Sequence, residues 1–339
     1  MRAVRYSAPR RFEIADLPDP HPGPGEVRVA MTIAGCCGTD VHIHEGGFFS
    51  RYPLTPGHEI VGEIDELGAG VHDLRRGQRV AVDNTVLCGT CRACRRDEPL
   101  FCRNFHSLGV TDDGGFAEYV VASAAKCFPV DDLSPEQAVV VEPLACAVHG
   151  MDVLALRPGS DVCVLGAGPT GLLLTQLLVH GGAARVTVAA PSASKLERAR
   201  ALGADETVLV QRGAFAQGQA ALAALAPEGF DAVIEATGAT DVLAGCPALS
   251  ADGGTILVYG MAGNEEQVAL RPYEIFKRQL TLKGSFAQTH CFDRAIAYLR
   301  SGRVRVDGLV THRFPLDRYG DALEALQHDR SCVKAAIVL

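Results

Sequence analysis

The stretch that decides the fold is Val162-Cys163-Val164-Leu165-Gly166-Ala167-Gly168-Pro169-Thr170-Gly171. Its first four residues predict a buried strand, and its glycines then follow the spacing G-x-G-x-x-G before a Leu-rich helix. The first two glycines allow a tight turn and a close approach of backbone to pyrophosphate, and the third lets helix and strand pack closely. The N-terminus of the helix favours the anion. The predicted dinucleotide contacts are Gly166, Gly168, Pro169, Thr170 and Gly171.

Buried strands alternate with helices on the C-terminal side of this stretch. Short apolar runs occur at residues 186–188, 232–234 and 255–258, with helical patterns between them. Such alternation predicts a doubly wound parallel sheet with helices on both faces. On the N-terminal side, from Glu26 to about Val130, short β-type runs are separated by Gly and Pro, which predicts a β-rich region. The predicted fold class is therefore α/β.

The dinucleotide fingerprint usually continues with Asp or Glu about 20 residues later, which holds the ribose 2′-hydroxyl. Ala190 stands at that place, and Ser192 and Lys195 follow it. Loss of the carboxylate removes repulsion against a 2′-phosphate, which Ser192 and Lys195 are able to contact. No Arg follows Ala190 directly, so NAD and NADP both stay open. Our hypothesis is relaxed or NADP-leaning use.

Twelve cysteines are the most informative count in the composition. The N-terminal residues lack the apolar segment of a secretory signal, so we expect reduced cysteines. Four of them follow the spacing C-x2-C-x2-C-x7-C, which suits a tetrahedral zinc filled by thiolates and therefore structural. Disulfides and coincidence are the alternatives. The predicted ligands are Cys88, Cys91, Cys94 and Cys102.

A second group of candidate ligands suggests an open metal site. Cys37 and His58 are natural zinc ligands, and three protein ligands plus water make a catalytic site. Glu142 interrupts an apolar run, and a buried carboxylate needs a metal or a cation. Each residue alone has an ordinary structural explanation, and core packing accounts for the other seven cysteines. The joint occurrence is what carries the prediction.

Charge and length limit the class of protein. The chain has 339 residues, with 32 Lys and Arg against 40 Asp and Glu, a formal net charge of −8. Acidity argues against a nucleic-acid partner, which needs a basic surface. The longest uncharged stretch, residues 162–184, contains glycines and a proline and reads as a strand, a turn and a buried helix. We therefore expect a cytoplasmic, soluble protein with no membrane partner.

The chain resembles the zinc-dependent medium-chain dehydrogenases, and most of all their sorbitol (polyol) dehydrogenase branch. The resemblance covers essentially the whole length, including both metal-ligand groups and the four-cysteine lobe. A Glu at position 142, where alcohol-specific relatives usually have Cys, points to the polyol branch. The further matching segments are Gly114-Gly115-Phe116-Ala117-Glu118-Tyr119, Glu142-Pro143-Leu144 and Leu309-Val310-Thr311-His312-Arg313-Phe314-Pro315-Leu316.

The resemblance implies a role for each residue of the open site. Cys37 and His58 would bind a catalytic zinc. The third ligand would be Glu59 or Glu142, the other carboxylate holding the zinc-bound water, and the sequence does not separate these two arrangements. Thr39 would take the alcohol proton, His42 would pass it to solvent, and Asp40 would orient the ligand histidine. Gly260 and Ser285 would flank the nicotinamide.

The resemblance also implies an architecture. A GroES-like catalytic domain would comprise residues 1–147 and 286–339, with the structural zinc lobe at about 86–103. A Rossmann NAD(P)-binding domain would be inserted at 148–285. The active site would lie in the cleft between the two domains. A homotetramer or homodimer is the expected assembly.

The implied reaction is reversible hydride transfer between a secondary alcohol of a polyol and NAD(P), giving a ketose. One departure concerns the Arg-Tyr pair that contacts substrate in sorbitol dehydrogenases, because Ala287 and Gln288 stand there. An amino-alcohol dehydrogenase of the threonine type shares the same metal-ligand pattern and is an alternative. A non-catalytic zinc or nucleotide sensor is an alternative from another class.

Overall fold

The computed structural model describes all residues, 1–339, and the chain forms two compact units. The first unit contains Met1–Ala145, Thr289–Ser301 and Val306–Leu339, and the second contains Cys146–Gln288 and Gly302–Arg305. The short return to the second unit has a clear cause. Arg305 exchanges two hydrogen bonds with the buried amide of Gln176, from its backbone N–H at 2.8 Å and to its carbonyl at 3.1 Å.

The elements follow one another along the chain as seventeen strands and ten α-helices. The strands are β1 (Arg2–Ala8), β2 (Arg11–Asp16), β3 (Glu26–Cys36), β4 (Glu59–Leu67), β5 (Arg79–Val82), β6 (Thr85–Val86), β7 (His106–Ser107), β8 (Tyr119–Ser123), β9 (Cys127–Pro129), β10 (Asp161–Leu165), β11 (Arg185–Ala190), β12 (Glu206–Leu209), β13 (Phe230–Glu235), β14 (Ser250–Val258), β15 (Thr281–Gly284), β16 (Val310–Pro315) and β17 (Lys334–Val338). The helices are α1 (Gly38–Glu45), α2 (Pro135–Ala138), α3 (Val141–Leu154), α4 (Pro169–His180), α5 (Ala193–Ala201), α6 (Phe215–Leu225), α7 (Thr240–Leu249), α8 (Pro272–Arg278), α9 (Phe292–Arg300) and α10 (Tyr319–His328).

The first unit is built around a seven-stranded sheet in the order β16-β17-β3-β4-β5-β9, with β8 also paired to β3. The long strand β3 is its centre and runs antiparallel to β4, β8 and β17. Val27, Val29, Met31 and Ile33 alternate into the core, as expected for a strand with one face buried. The register places Gly35 opposite Glu59 and Cys36 opposite Ala335.

One predicted strand is shorter than its apolar pattern suggests. The run from Phe116 to Val121 reads as a single strand, but β8 begins only at Tyr119. Phe116 instead donates its N–H to Pro56 and accepts from Val4, at 2.9 Å in both cases. Because these residues bond to two separate segments rather than to one neighbour, no regular ladder forms before Tyr119.

The second unit is a six-stranded parallel sheet in the order β12-β11-β10-β13-β14-β15. Counted along the chain this is the order 3-2-1-4-5-6 of the Rossmann fold, which confirms the predicted fold class. Strand β10 is buried except at Asp161, and α4 buries a continuous run from Gly171 to Leu178. An apolar helix that is buried on all sides is a core helix.

One helical stretch passes a length and composition test for crossing a membrane. It runs over Pro135–Leu154, and an 18-residue window of it has a mean hydropathy of 1.3 and is 61% buried inside the protein. The core helix of a soluble protein passes the same test. The stretch is therefore weak evidence for a membrane span.

Candidate active site and zinc lobe

The first candidate ligand lies where the central strand meets a helix. Cys37 directly follows β3 and caps the N-terminus of α1. Its backbone N–H donates to Asp40 Oδ2 at 2.8 Å, which fixes the first turn of the helix. Thr39 Oγ1 lies 3.7 Å from Cys37 Sγ, and His42 follows three residues later. Residues three apart share one helix face, so Thr39 and His42 lie on the same side of α1.

Three of the predicted ligands come together in space. The ligand atoms of Cys37, His58 and Glu59 all lie within 4.8 Å of one another. His58 is 5% exposed and Glu59 only 1%. His58 Nδ1 lies 3.7 Å from Asp40 Oδ1, and neither atom has a hydrogen-bond partner. Asp40 thus stands beside the histidine, where an orienting carboxylate is expected.

The electrostatics of this cluster favour a cation. Burial alone lowers the pKa of His58, but the carboxylate of Asp40 and the neighbouring Cys37 and Glu142 raise it well above its ordinary value. Burial raises the pKa of Asp40 to about 6 in spite of the opposing effect of His58. A buried imidazole surrounded by acidic groups, with unpartnered polar atoms beside it, suits a divalent metal. The donor set of Cys, His and carboxylate fits zinc.

A buried lysine from the other end of the chain completes the cluster. Lys334, the first residue of β17, is 2% exposed, and its Nζ lies 2.7 Å from Glu59 Oε1 and 2.5 Å from Oε2. It also donates to the Cys36 carbonyl at 3.4 Å. Burial opposes the charge, yet the carboxylate of Glu59 raises the pKa of Lys334. Lys334 therefore contacts Glu59 as a charged partner in the core of the first unit.

The space for this pair comes from a glycine. Gly35 lies opposite Glu59 across the β3–β4 ladder. A Cβ on Gly35 would lie 1.8 Å from Glu59 Oε2 and 2.8 Å from its Cδ. The Glu59 carboxylate thus occupies the volume that any larger residue at position 35 would fill.

Glu142 is not one of the three clustered ligands. It lies in the first turn of α3, half-buried, and acts on His58 as a nearby negative charge. The structure therefore places Glu59 beside Cys37 and His58, and pairs the Glu59 carboxylate with Lys334.

The sulfur atoms of the four-cysteine lobe are separated by the distances expected around a bound zinc ion. Cys91 Sγ lies 3.6 Å from Cys94 Sγ, and Cys102 Sγ lies 3.5 Å from Cys88 Sγ. All four sulfurs lie within 4.8 Å of one another. A tetrahedron with Zn–S bonds of 2.3 Å separates its sulfurs by ~3.8 Å, whereas a disulfide bond is only ~2.05 Å long. The geometry fits a structural zinc.

Backbone groups in the lobe also prepare thiolates. The N–H groups of Thr90 and Cys91 donate to Cys88 and lower the pKa of its thiol to about 5. Burial and the neighbouring cysteine Cys91 raise the pKa of Cys94 to about 12. Four thiols this close cannot all ionise without a cation between them, which a zinc ion would supply.

The glycine loop of the second unit has the geometry expected of a dinucleotide site. Gly168 is the N-cap of α4 and Pro169 its first residue, with Thr170 next. Gly166 has φ +118°, and a Cβ on Gly171 would lie 2.0 Å from the Gly166 carbonyl. Only glycine at position 171 allows α4 to approach the end of β10 this closely.

The other predicted cofactor residues lie at the carboxyl ends of the parallel strands. Ala190 ends β11, Ser192 is the N-cap of α5, and Lys195 lies in its first turn. Gly260 lies two residues after the end of β14, and Ser285 directly follows β15. Ser285 Oγ is buried without a hydrogen-bond partner, as expected of a group that serves a ligand. Open α/β sheets bind ligands at this edge, so the arrangement fits NAD or NADP.

A Rossmann unit joined to a β-rich unit with a Cys-His-carboxylate cluster defines the class of zinc-binding dehydrogenases. Two family models match the chain: the alcohol dehydrogenase GroES-like domain over residues 23–132 and the zinc-binding dehydrogenase domain over residues 169–301. The chain belongs to this family, and its cofactors are zinc and a nicotinamide dinucleotide.

Several relatives and solved structures match nearly the whole chain. D-arabinitol dehydrogenase 1 of Uromyces fabae is 44% identical over 99% of this chain and 97% of its own. D-altritol 5-dehydrogenase of Agrobacterium fabrum is 35% identical, with 93% of each chain covered, and L-threonine 3-dehydrogenase of Saccharopolyspora erythraea is 32% identical, with 97% covered. A zinc-binding dehydrogenase of Sinorhizobium meliloti 1021 bound to NADP has a TM-score of 0.93 at 32% identity, covering 100% and 99% of the chains. An alcohol dehydrogenase of Escherichia coli CFT073 with NADH has a TM-score of 0.91 at 30% identity, with the same coverage.

The sequence reasoning missed Lys334. A signal was present, because this lysine opens an apolar run that ends at Val338, and a charge in such a run needs a partner. Glu142 interrupts an apolar run in the same way. What the sequence lacks is the pairing of β17 with β3, which brings the lysine to Glu59.

Proposed function

We propose that this enzyme oxidises a secondary hydroxyl of a polyol to a ketone, reversibly, with NAD or NADP as hydride acceptor. The observation that carries the substrate class is the 44% identity with a D-arabinitol dehydrogenase over nearly the whole of both chains. A second polyol relative is 35% identical, and the threonine 3-dehydrogenases are 31–34% identical. Threonine-type activity is the second candidate.

Each residue of the cluster has one task in this proposal. Three protein ligands would hold a zinc whose charge stabilises an alkoxide: Cys37, His58 and Glu142. Asp40 orients His58, and Lys334 holds Glu59 in the core as its counter-ion. We choose Glu142 over Glu59 because Glu59 already has both oxygens within 2.7 Å of a lysine.

The proton and the hydride leave the alcohol by different routes. The hydroxyl proton would pass to the Thr39 hydroxyl and on to His42, which would release it to solvent. A bound nicotinamide dinucleotide would supply the acceptor for the hydride that leaves the alcohol carbon. Thr39 and His42 share one face of α1, as such a relay requires. Proton transfer by a positioned side chain contributes about 10²–10⁴-fold, so Thr39→Val is expected to lower kcat/KM by about that factor.

The deciding experiment is a substrate panel. Pentitols, hexitols, L-threonine and simple primary alcohols would be assayed with NAD and with NADP, using C-deuterated polyol to detect hydride transfer. We expect the highest kcat/KM with a polyol and a primary isotope effect. Turnover of threonine alone would establish the second candidate, and reduction of coenzyme by primary alcohols but by no polyol would overturn the assignment.

We also propose relaxed or NADP-leaning coenzyme use. Ala190 leaves no carboxylate at the end of β11, and Ser192 and Lys195 begin the helix beside it. A helix N-terminus and a lysine both favour a phosphate. A kcat/KM with NAD more than about a hundredfold above that with NADP, about 2.7 kcal/mol, would contradict this.

A cytoplasmic homo-oligomer, dimeric or tetrameric, is the assembly that we propose. Strand β15 is at one edge of the six-stranded sheet, and Leu282 on it is 38% exposed. Tyr273 and Phe276 on α8 are 67% and 79% exposed. Unpaired edges and exposed aromatic side chains suit pairing with a second copy. Sedimentation of the wild type and of Phe276→Lys tests this, and a monomeric wild type would refute it.

A further inference from the structure

Four arginines of the zinc lobe have no ionic partner. The other three arginines between Glu63 and Asp131 each form a salt bridge; they are Arg75, Arg76 and Arg79. The four lobe arginines form no salt bridge and no side-chain hydrogen bond, and all four side chains are exposed. They are Arg92, Arg95, Arg96 and Arg103.

Three of these arginines line one concave surface. The concavity has a volume of about 370 Å³, within the roughly 300–1,000 Å³ usual for ligand pockets. Arg92, Arg96 and Arg103 share it with Glu98 and Phe101. Arg95 does not line it. Three guanidinium groups against one carboxylate make the surface electropositive.

The other two side chains restrict the ligand further. Phe101 is 77% exposed, so its ring offers a face on which a planar group can stack. Glu98 is an exposed acceptor that can take a hydrogen bond from an amino group. Guanidinium groups match phosphate oxygens in a bidentate manner. The combination of phosphate, flat ring and amino group describes a nucleotide.

The lobe is also stiff enough to hold these groups in place. Cys91 lines the concavity itself, and its sulfur belongs to the four-cysteine cluster. The short helical turns Cys94–Arg96 and Pro99–Phe101 carry Arg96 and Phe101. Zinc ligands on both sides of these turns would restrain them, so that less conformational entropy is lost when a ligand binds.

We propose that the zinc lobe binds a nucleotide whose base carries an exocyclic amino group, with its phosphates on Arg92, Arg96 and Arg103 and its base on Phe101. This site lies outside the Rossmann loop and does not depend on the proposed polyol reaction. The simplest rival is that the arginines only balance the charge of the zinc thiolates. That rival predicts no ligand.

The test is calorimetry on the zinc-loaded full chain with ATP, ITP and tripolyphosphate as probes, at low ionic strength. Saturating nicotinamide hypoxanthine dinucleotide occupies the coenzyme site, because unlike NAD it lacks the exocyclic amino group that the lobe site is proposed to select. We expect one ATP per chain, with weaker binding of ITP, which lacks the amino group, and of tripolyphosphate. Raising the salt concentration should weaken all three.

Matched variants separate the pocket from general charge. Arg92→Gln, Arg96→Gln and Arg103→Gln should each weaken ATP binding about five- to tenfold, and Arg95→Gln, with the same charge change, less than twofold. Phe101→Ala should weaken ATP at least fivefold and leave tripolyphosphate unchanged. Zinc content, measured for every variant, should stay at two per chain. Absence of ATP binding beside the hypoxanthine dinucleotide, or an equal effect of Arg95→Gln, would overturn the proposal.

Discussion

Replacing Lys334 by Met tests the buried ion pair of the active-site cluster. Methionine has a similar length but no charge, so the variant leaves the Glu59 carboxylate buried and unpaired. The two side chains are only 2% and 1% exposed, and no other cation lies within salt-bridge distance of Glu59. The exchange should therefore act on one interaction, without opening a large cavity.

The size of the effect follows from this geometry. Two unit charges 2.7 Å apart attract by about 6 kcal/mol at an effective dielectric constant of ~20. Part of this energy offsets the cost of desolvating both ions, and loss of one partner of a buried pair usually costs about 3–5 kcal/mol. We expect Lys334→Met to lower the free energy of unfolding of the zinc-free protein by that amount.

Urea denaturation of four proteins measures this: the wild type, Lys334→Met, Glu59→Gln and the double variant. The double variant should regain most of the loss, because both charges are gone. In the zinc-loaded protein the loss should be smaller, since the metal charge compensates the unpaired carboxylate. A loss below about 1 kcal/mol in the zinc-free single variant, or additive effects in the double variant, would refute the reasoning.

Three further outcomes are expected. Gly35→Ala places a Cβ 1.8 Å from Glu59 Oε2 and should cost about 1–3 kcal/mol in denaturation, whereas Gly38→Ala, whose Cβ meets nothing within 4 Å, should be near neutral. Cys102→Ser should lower the zinc content from two ions per chain to one, and elemental analysis showing two would count against a structural site. Ala190→Asp should lower kcat/KM with NADP at least tenfold relative to NAD, through repulsion of the 2′-phosphate, and an unchanged ratio in initial-rate assays would contradict it.

The Rossmann unit was predictable because its signals are local. A strand, a glycine loop and the start of a helix follow one another within residues 162–171. The glycine spacing in this run already predicts the close packing of helix on strand that the structure shows. The close packing of Gly171 on Gly166 is an example. The four-cysteine lobe was predictable for the same reason, since all its ligands lie within fifteen residues of sequence.

The active-site cluster was predictable only in part, because its members are distant in sequence. Cys37 and His58 could be proposed from residue type, but their distance depends on the β3–β4 register. Lys334 depends on the further pairing of β17 with β3. Sequence pattern predicts that a strand exists far better than which strand it pairs with. The proposal of Glu142 over Glu59 therefore depends on Lys334, which the sequence alone does not place beside Glu59.

The pairing of β17 with β3 also sets an order of events during protein synthesis. Glu59 and its counter-ion are 275 residues apart. At ~5–20 residues per second, the ribosome adds Lys334 roughly 15–55 s after Glu59. Until then the Glu59 carboxylate has no lysine, and β3 has an unpaired edge, which is a template for pairing with another chain. The inserted Rossmann unit is complete earlier, so the nascent chain would carry a finished nucleotide-binding unit next to a catalytic unit that still awaits its last strand.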